Sequence, residues 1–327
     1  IPEAGYDIKN IKISGFERGL SPNKLIRNVK TFGNLAAAAA QSEEIINRFK
    51  PDAVIGTGGY VCYPVLKKAA RMKIPTFIHE SNAVPGLTTK MLSGIVDKVL
   101  VAFPDVAHLY KRPDKVVFTG TPVRAAFSPK NKNDARLLLG IDGRPLVVSF
   151  WGSLGAERMN EIIADFAALN VESRLFNHIH ASGGSEAVTE ELVRRVREKS
   201  PGMSVPPWVD IRTYIYNMPS VMAASDLVLC RAGASTIAEL TYMGKPAIIV
   251  PSPYVTNNHQ EKNALLLGKK GGAVVISERE CTGELLYKKA VDLLKNKEKL
   301  SAMADAVKGA GVPDSAKKIA ELIISMC

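Results

Sequence analysis

The residues best suited to chemistry in this chain lie between Asp226 and Ala264, where small residues separate an apolar strand from a helix. The pattern predicts a strand over 227–230, a loop over 231–235 and a helix that begins near Thr236. The amides and the dipole at a helix N-terminus bind anions, so this loop could hold a phosphate group. Glu239 stands one turn into the helix, within reach of a ribose attached to that phosphate.

The same two residues also fit a purely structural motif. Thr236 and Glu239 have the spacing of a capping box, in which a hydroxyl and a carboxylate bind free amides at the start of a helix. Capping boxes are common, so this pair alone does not establish a ligand site. A second apolar strand is predicted over 247–250, which completes a strand–loop–helix–strand unit.

Two further loops are rich in glycine. Gly56-Thr57-Gly58-Gly59-Tyr60 follows a predicted strand and precedes a helix, so its amides could cradle a phosphate or simply form a tight turn. Val61 occupies the position of the third glycine in the dinucleotide fingerprint. The second loop, Gly152-Ser153-Leu154-Gly155, also lacks that fingerprint and the Lys-Ser/Thr of a P-loop. The absence of these two motifs disfavours an NAD enzyme and a P-loop ATPase.

Polar side chains at the ends of predicted strands are further candidates. The sequence His79-Glu80-Ser81-Asn82 follows the strand predicted over 76–78. Arg124 could bind a phosphate or carboxylate through two hydrogen bonds, or form a salt bridge between domains. His178 and His180 share one face of a strand, but no third ligand accompanies them, so we interpret them as ordinary strand histidines.

Composition limits the class of protein. The chain has 327 residues, 46% hydrophobic and 23% charged, which is ordinary for a globular protein of two domains. Its four cysteines are scattered without metal-ligand spacing, which favours a reducing compartment over a disulfide framework or a zinc site. The net charge of +11 suits an anionic partner: nucleic acid, an anionic membrane or a phosphorylated substrate.

Strand and helix patterns alternate along the chain, which predicts parallel sheets in an α/β fold. The predicted strands are residues 53–55, 76–78, 98–102, 116–119, 146–150, 175–179, 227–230, 247–250 and 273–276. A polar stretch over 128–145 separates two halves, each with its own glycine-rich loop. Because ligands of open parallel sheets bind at the carboxyl ends of strands, we expect two similar domains whose glycine loops face a common cleft.

Together these motifs resemble the MurG family of glycosyltransferases. Residues 79–88 resemble the family consensus HEQNxxxGxxN, with Ser81 in place of glutamine, and residues 121–124 resemble its Asn-Pro-Val-Arg sequence. Residues 259–264 match its His-Gln-x-x-Asn-Ala pattern. The loop over 151–156 resembles its Gly-Gly-Ser-Gln-Gly-Ala sequence, although Trp151 and Leu154 replace glycine and glutamine.

The resemblance implies a GT-B glycosyltransferase fold, with two Rossmann-like domains facing a cleft. Residues 1–124, joined by a C-terminal helix over 313–327, would bind the acceptor and the membrane, and residues 125–312 would bind the UDP-sugar donor. The family begins with a strand and a glycine-rich loop that ends in histidine. This chain starts beyond it, so roughly 30–50 residues, about one βαβ unit, are expected to be missing. We expect the catalytic base in that segment.

The resemblance also implies site residues. Uracil and ribose would lie against Ile215 and Glu239, and the acceptor diphosphate would meet Gly58, Gly59 and Tyr60. Neither a metal nor a cofactor is implied. The donor contacts would be Asn82, Arg124, Ser153, Ile215, Ala234, Ser235, Thr236, Ile237, Ala238, Glu239 and Gln260.

The implied activity is transfer of N-acetylglucosamine from UDP-N-acetylglucosamine to undecaprenyl-diphospho-muramoylpentapeptide, which converts lipid I to lipid II in peptidoglycan synthesis. Its implied place is the cytoplasmic face of the bacterial cell membrane, as a peripheral protein. Alternatives are another GT-B enzyme, namely a diacylglycerol glycosyltransferase or a UDP-sugar 2-epimerase, and a non-catalytic anion or nucleic-acid binder. Dispersed basic residues without an RNA-binding signature disfavour nucleic acid as a partner.

A basic amphipathic helix is predicted near the start of the chain. Leu25, Val29 and Phe32 recur at helical spacing and are flanked by Lys24, Arg27 and Lys30. Such a helix can lie in an anionic membrane interface, although an ordinary core helix with a solvated basic face has the same pattern. Because a polyprenyl-linked acceptor is met at the bilayer, we expect this stripe to bind the membrane.

Overall fold

The computed structural model describes residues 5–13, 22–127, 131–152, 154–200, 202 and 204–327, with side chains in the first helix only from residue 36 onward. The chain forms two compact units. The first contains residues up to Gly120 together with Asp314–Cys327, and the second contains Thr121–Pro313. The functions that the sequence assigns to the two domains stay predictions.

Parallel strands alternate with helices in both units. The strands are β1 (Val54–Gly56), β2 (Thr76–Glu80), β3 (Lys98–Val101), β4 (Val116–Phe118), β5 (Leu146–Phe150), β6 (Asn177–Ala181), β7 (Val209–Arg212), β8 (Leu227–Cys230), β9 (Ala247–Ile249) and β10 (Ala273–Val275). The helices are α1 (Pro22–Phe49), α2 (Cys62–Arg71), α3 (Leu87–Leu92), α4 (Lys132–Leu138), α5 (Glu157–Ser173), α6 (Glu186–Lys199), α7 (Met218–Ala224), α8 (Ala234–Met243), α9 (His259–Lys269), α10 (Gly283–Lys295), α11 (Lys297–Gly309) and α12 (Ser315–Ile324). In the described part of the chain, no helix is long and apolar enough to cross a bilayer.

The first unit is built on a sheet with the strand order β1-β2-β3-β4. All residues of β2 are buried, as expected for a strand of a parallel sheet that is covered on both faces. The last helix, α12, belongs to this unit, where Ile319 packs against Phe77 and Leu100. The end of the chain therefore covers the sheet formed by residues far earlier in the sequence.

The second unit has a larger sheet, with the strand order β10-β9-β8-β5-β6-β7. Its strand order reverses beside β5, because β6 pairs with one edge of β5 and β8 with the other. The helix after β5 covers the core with the apolar face expected from its periodicity: Met159, Ile163 and Phe166 are fully buried. Ligand sites of such sheets lie at a reversal of this kind, outside the carboxyl ends of the strands.

Most strands lie within two residues of their predicted bounds, and the largest differences concern β6 and β7. The strand predicted over 175–179 occupies Asn177–Ala181, because Arg174 takes a left-handed conformation that ends α5 and Leu175 lies between the helix and the strand. The strand Val209–Arg212 was not predicted, since Asp210 and Arg212 interrupt its apolar pattern. It lies at the edge of the sheet, where these two side chains form an ion pair with one another.

A small polar network crosses the centre of the second sheet. The hydroxyl of Ser149 lies 2.7 Å from His178 Nε2 and 2.7 Å from His180 Nδ1, while His180 Nε2 lies 3.3 Å from Asn160 Oδ1. Both histidines are completely buried. Burial lowers the pKa of His178 to about 3, against a smaller opposing effect of Asp210, and burial also lowers the pKa of His180. The network therefore holds two neutral imidazoles inside the fold.

We predict that this network makes the protein sensitive to acid. The unfolded chain protonates His178 below its ordinary pKa of 6.5, whereas the folded chain does so only near 3, so stability falls as the pH drops through this window. The loss from His178 alone is about 2 kcal/mol at pH 5. Thermal unfolding of His178→Gln should consequently depend less on pH between 7 and 5 than unfolding of the parent protein. The exposed His108→Gln serves as the control, and an unchanged slope in His178→Gln would contradict the prediction.

Candidate functional site

The anion-binding loop expected after β8 is present in the second unit. Residues 231–233 connect β8 to α8, and Gly233 is the N-cap of the helix, with extended backbone angles (φ −62°, ψ 142°). Asn263 Nδ2 donates a hydrogen bond of 3.1 Å to the carbonyl of Ala232, which holds the loop from the side of α9. Glycine has no side chain that could bind the first amides of α8, so these donors are available to an anion.

The structure does not contain the capping box that the sequence allows. The helix begins two residues earlier than predicted, so Thr236 is its third residue and Glu239 its sixth. A capping box requires the hydroxyl residue at the N-cap and the carboxylate three residues later. The alternative explanation of Glu239 as a capping residue is therefore wrong, and its side chain lies further along α8.

The surroundings of Glu239 are unusual for a carboxylate. It is half-buried, and this burial raises its pKa, while the positive charge of Arg124 acts in the opposite direction. Burial also raises the pKa of the Cys230 thiol, with a further contribution from the charge of Glu239. Arg124, whose guanidinium lies 5.2 Å from the ring centre of Phe127, thus belongs to the electrostatic environment of Glu239. The sequence prediction named both residues but not their proximity.

A cavity of about 680 Å³ opens beside this loop within the second unit. Its wall includes Thr236 and Gln260 from the predicted donor contacts, and Gln260 Oε1 accepts a hydrogen bond of 3.0 Å from the Ser252 amide. Gly152 and Gly155 line it as well, whereas Ser153 between them lies outside the described residues. Small-molecule sites in proteins typically have this size.

The other predicted contacts on α8 differ in exposure. Ser235 is exposed, Ala234 and Ala238 are half-buried, and Ile237 is buried in the core.

Ile215, expected to face the base, is only 2% exposed and packs in the core of the second unit. Its neighbours Tyr214 and Tyr216 are exposed instead, with ring centres 4.9 Å apart. The role of Ile215 as a base contact stays a prediction.

Most residues of the cavity wall were not among the predicted contacts, and they include Trp151, Arg158, Arg231 and Glu278. Arg231 and Glu278 form a buried ion pair with an N–O distance of 2.6 Å, and Arg231 Nη1 also donates to the carbonyl of Val250. The guanidinium of Arg231 lies 5.9 Å from the ring centre of Trp151. Arg231 and Trp151 directly follow β8 and β5, so the rule that strand ends carry sites could have found them.

Two glycines bring the loops after β5 and β6 into direct contact. Gly155 and Gly183 have φ angles of +72° and +69°, a region that suits glycine. A Cβ atom on Gly155 would lie 2.3 Å from the Ser182 carbonyl oxygen, and one on Gly183 would lie 2.2 Å from the Gly155 nitrogen. The backbone of the β5 loop is therefore fixed next to the cavity.

The predicted acceptor and loop residues of the first unit lie at strand ends. Gly58 and Gly59 follow β1 with φ angles of +91° and +80°, no atom lies within 4 Å of a Cβ placed on either, and Tyr60 is exposed. The amide and side chain of Asn82 both donate to Glu80 Oε1 over 3.1 Å. The side chains of Lys24, Leu25, Arg27, Val29, Lys30 and Phe32 lie outside the described residues.

The chain matches known glycosyltransferases over most of its length. The profile of the glycosyltransferase family 28 C-terminal domain matches residues 146–319, and that of the family 28 N-terminal domain matches residues 1–101. A relative from Acetivibrio thermocellus is 44% identical over 325 residues, covering 99% of this chain and 85% of its own length. It is named UDP-N-acetylglucosamine–N-acetylmuramyl-(pentapeptide) pyrophosphoryl-undecaprenol N-acetylglucosamine transferase.

Solved structures give the same result. The crystal structure of MurG from Acinetobacter baumannii is 28% identical, with a TM-score of 0.73 over 90% of this chain and 79% of its own. A putative UDP-N-acetylglucosamine 2-epimerase from Listeria monocytogenes, 17% identical, has a TM-score of 0.68 over 95% of this chain and 82% of its own, and shares the fold alone. The expected α/β GT-B class and the family resemblance are confirmed, and the chain belongs to the MurG family of glycosyltransferases.

Proposed function

We propose that this protein is a hexosyltransferase that moves N-acetylglucosamine from UDP-N-acetylglucosamine to the muramoyl-pentapeptide carried on pyrophosphoryl-undecaprenol, the lipid I to lipid II step of peptidoglycan synthesis. The observation that carries this proposal is the 44% identity to a transferase of that name over 99% of the chain. The reaction attaches the sugar to the muramoyl 4-hydroxyl with inversion at the anomeric carbon.

The donor is proposed to bind at the loop between β8 and α8. Its diphosphate would lie on the first amides of α8, where the helix dipole provides about half a positive charge. The amides and the dipole would stabilise the charge that develops on the departing UDP. In this arrangement the ribose hydroxyls pair with Glu239, while Gln260 in the wall of the cavity contacts hydroxyls of the sugar. Arg124, Ser153, Asn82 and the first residues of α8 complete the proposed donor contacts.

The acceptor diphosphate is proposed to bind at Gly58, Gly59 and Tyr60 of the first unit. The open space beside both glycines supports this assignment, because a phosphate can approach the backbone closely only where no Cβ intervenes. The thiol of Cys62 donates to the carbonyl of Gly58 over 2.7 Å, which keeps that carbonyl occupied within the turn. The loop can then present amides rather than carbonyl oxygens to an anion.

An assay of N-acetylglucosamine transfer tests the proposed activity. Incubation with radiolabelled UDP-N-acetylglucosamine and a soluble lipid-linked muramoylpentapeptide analogue should produce labelled disaccharide, with UDP as the second product. A diacylglycerol acceptor should remain unlabelled. Epimerised UDP-sugar formed without any acceptor would instead favour the 2-epimerase alternative, and thermal protection by an oligonucleotide but not by UDP would favour a nucleic-acid binder.

A second prediction concerns the ribose contact. Hydrogen bonds to a charged group contribute about 1.5–3 kcal/mol, so Glu239→Ala should weaken UDP binding roughly 10- to 150-fold in calorimetric titration. Glu190→Ala, the same change at an exposed position of α6, is the matched control and should leave the affinity unchanged. Equal UDP affinity of Glu239→Ala and the parent protein would show that the carboxylate does not bind the ribose.

Membrane docking is proposed at the start of α1, at the cytoplasmic face of the bacterial membrane. The acceptor carries an undecaprenyl chain, so the protein has to meet it at a bilayer surface. Three basic side chains, Lys24, Arg27 and Lys30, would contribute about 1 kcal/mol each at an anionic surface. Insertion of Leu25, Val29 and Phe32 would add a few kcal/mol, on the order of reversible peripheral binding.

Vesicle sedimentation tests this docking. Binding should require anionic lipid and weaken with salt, because exposed charges are screened. Changing Leu25 and Phe32 together to Ser should release the protein from vesicles without lowering its melting temperature. If the double variant unfolds, or binds vesicles like the parent protein, these residues belong to the core and the membrane is met elsewhere.

A further inference from the structure

Two cations lie on the described part of the cavity wall, and they differ in whether a carboxylate pairs with them closely. Arg231 is buried, its Nη1 lies 2.6 Å from Glu278 Oε2, and it donates to the carbonyl of Val250. Its positive charge and the negative charge of Glu278 largely cancel. Arg158 differs, because 54% of its side chain is exposed and its Nε lies 3.9 Å from Glu278 Oε1. Arg158 is thus the exposed cation among the described residues of this wall.

The position of Arg158 on its helix also requires explanation. It is the second residue of α5, and a cation is unfavourable at the positive end of a helix dipole. Glu157, an exposed carboxylate on the wall, precedes it, but adjacent helical residues do not face one another. An anion in the cavity would offset this unfavourable position of Arg158.

Glu278 orients this cation without neutralising it fully. Arg158 Nη2 donates a hydrogen bond of 3.4 Å to the backbone carbonyl of Glu278, while the carboxylate has its close partner in Arg231. The guanidinium of Arg158 therefore retains donors that point to neither group, since an arginine has five N–H donors. Arginine binds phosphate oxygens through pairs of such donors.

We infer that Arg158 binds the diphosphate of the nucleotide donor, opposite the first amides of α8. Gly233 and Thr236 from the start of α8 line the same cavity as Arg158, so one anion can be held between a helix N-terminus and a guanidinium. The inference rests on the proposed function, because the diphosphate belongs to the UDP-sugar. It adds an arginine side chain to the diphosphate contacts that the amides of α8 provide.

The proposed contact between Arg158 and the diphosphate is tested by calorimetric titration with UDP and by displacement titration with uridine. Arg158→Gln should weaken UDP binding by about 10- to 150-fold and leave uridine binding unchanged, because uridine carries no phosphate. Arg158→Lys should recover part of the UDP affinity, since it keeps the charge but not the paired donors. The exposed Arg279→Gln removes the same charge one residue from Glu278, outside the cavity lining, and should bind UDP like the parent protein.

Each other outcome has a separate meaning. If the parent protein fails to bind UDP, the proposed function fails together with this inference. If the parent binds UDP and Arg158→Gln binds it equally well, only the assignment of Arg158 is overturned. Equal losses for UDP and uridine, or an equal loss in Arg279→Gln, would also overturn it, because the effect would then come from altered structure or from long-range charge. Melting temperatures of all three variants establish that they fold.

Discussion

The buried ion pair between Arg231 and Glu278 joins the strand ends on which the candidate donor site depends. Through it and the bond to the Val250 carbonyl, the carboxyl ends of β8, β9 and β10 are tied to one guanidinium. Removing two charges from water costs several kcal/mol per ion, and breaking such a pair by removing one partner costs about 3–5 kcal/mol. A hydrophobic pair could stabilise the fold as well, but it would not fix the direction of the loop that leads into α8.

The fold could be predicted further from the sequence than the site. Strands buried on both faces, such as β5 and β8, were predicted at their observed bounds because nearly all of their residues are apolar. The edge strand β7 has polar residues at alternate positions and was missed. Glu239 and Gln260 could be named from the sequence because they stand in a recognisable pattern. Arg158 and Glu278 could not, because their significance comes from a contact between residues 120 positions apart.

The start of α8 illustrates why local patterns mislead. Thr236 and Glu239 have the spacing of a capping box, yet the helix begins at Ala234. Asn263 from α9 binds the Ala232 carbonyl and Glu278 binds Arg231, so residues of distant segments hold the loop directly before this helix. Interactions between distant segments thus decide which amides remain uncapped. The buried histidines of β6 are a similar case, because their hydroxyl partner Ser149 lies on a different strand, β5, and is not part of their local sequence pattern.

The contact between Gly155 and Gly183 limits how the sequence of this protein can drift. No side chain fits between these two residues, so the path of the β5 loop is inherited as a fixed backbone shape. Leu154, the residue before Gly155, is 89% exposed. Within this loop, the chain departs from the family pattern at Trp151 and Leu154. Because this contact fixes the backbone of the loop, substitutions at its other positions can change the chemistry of the cavity wall without moving the loop.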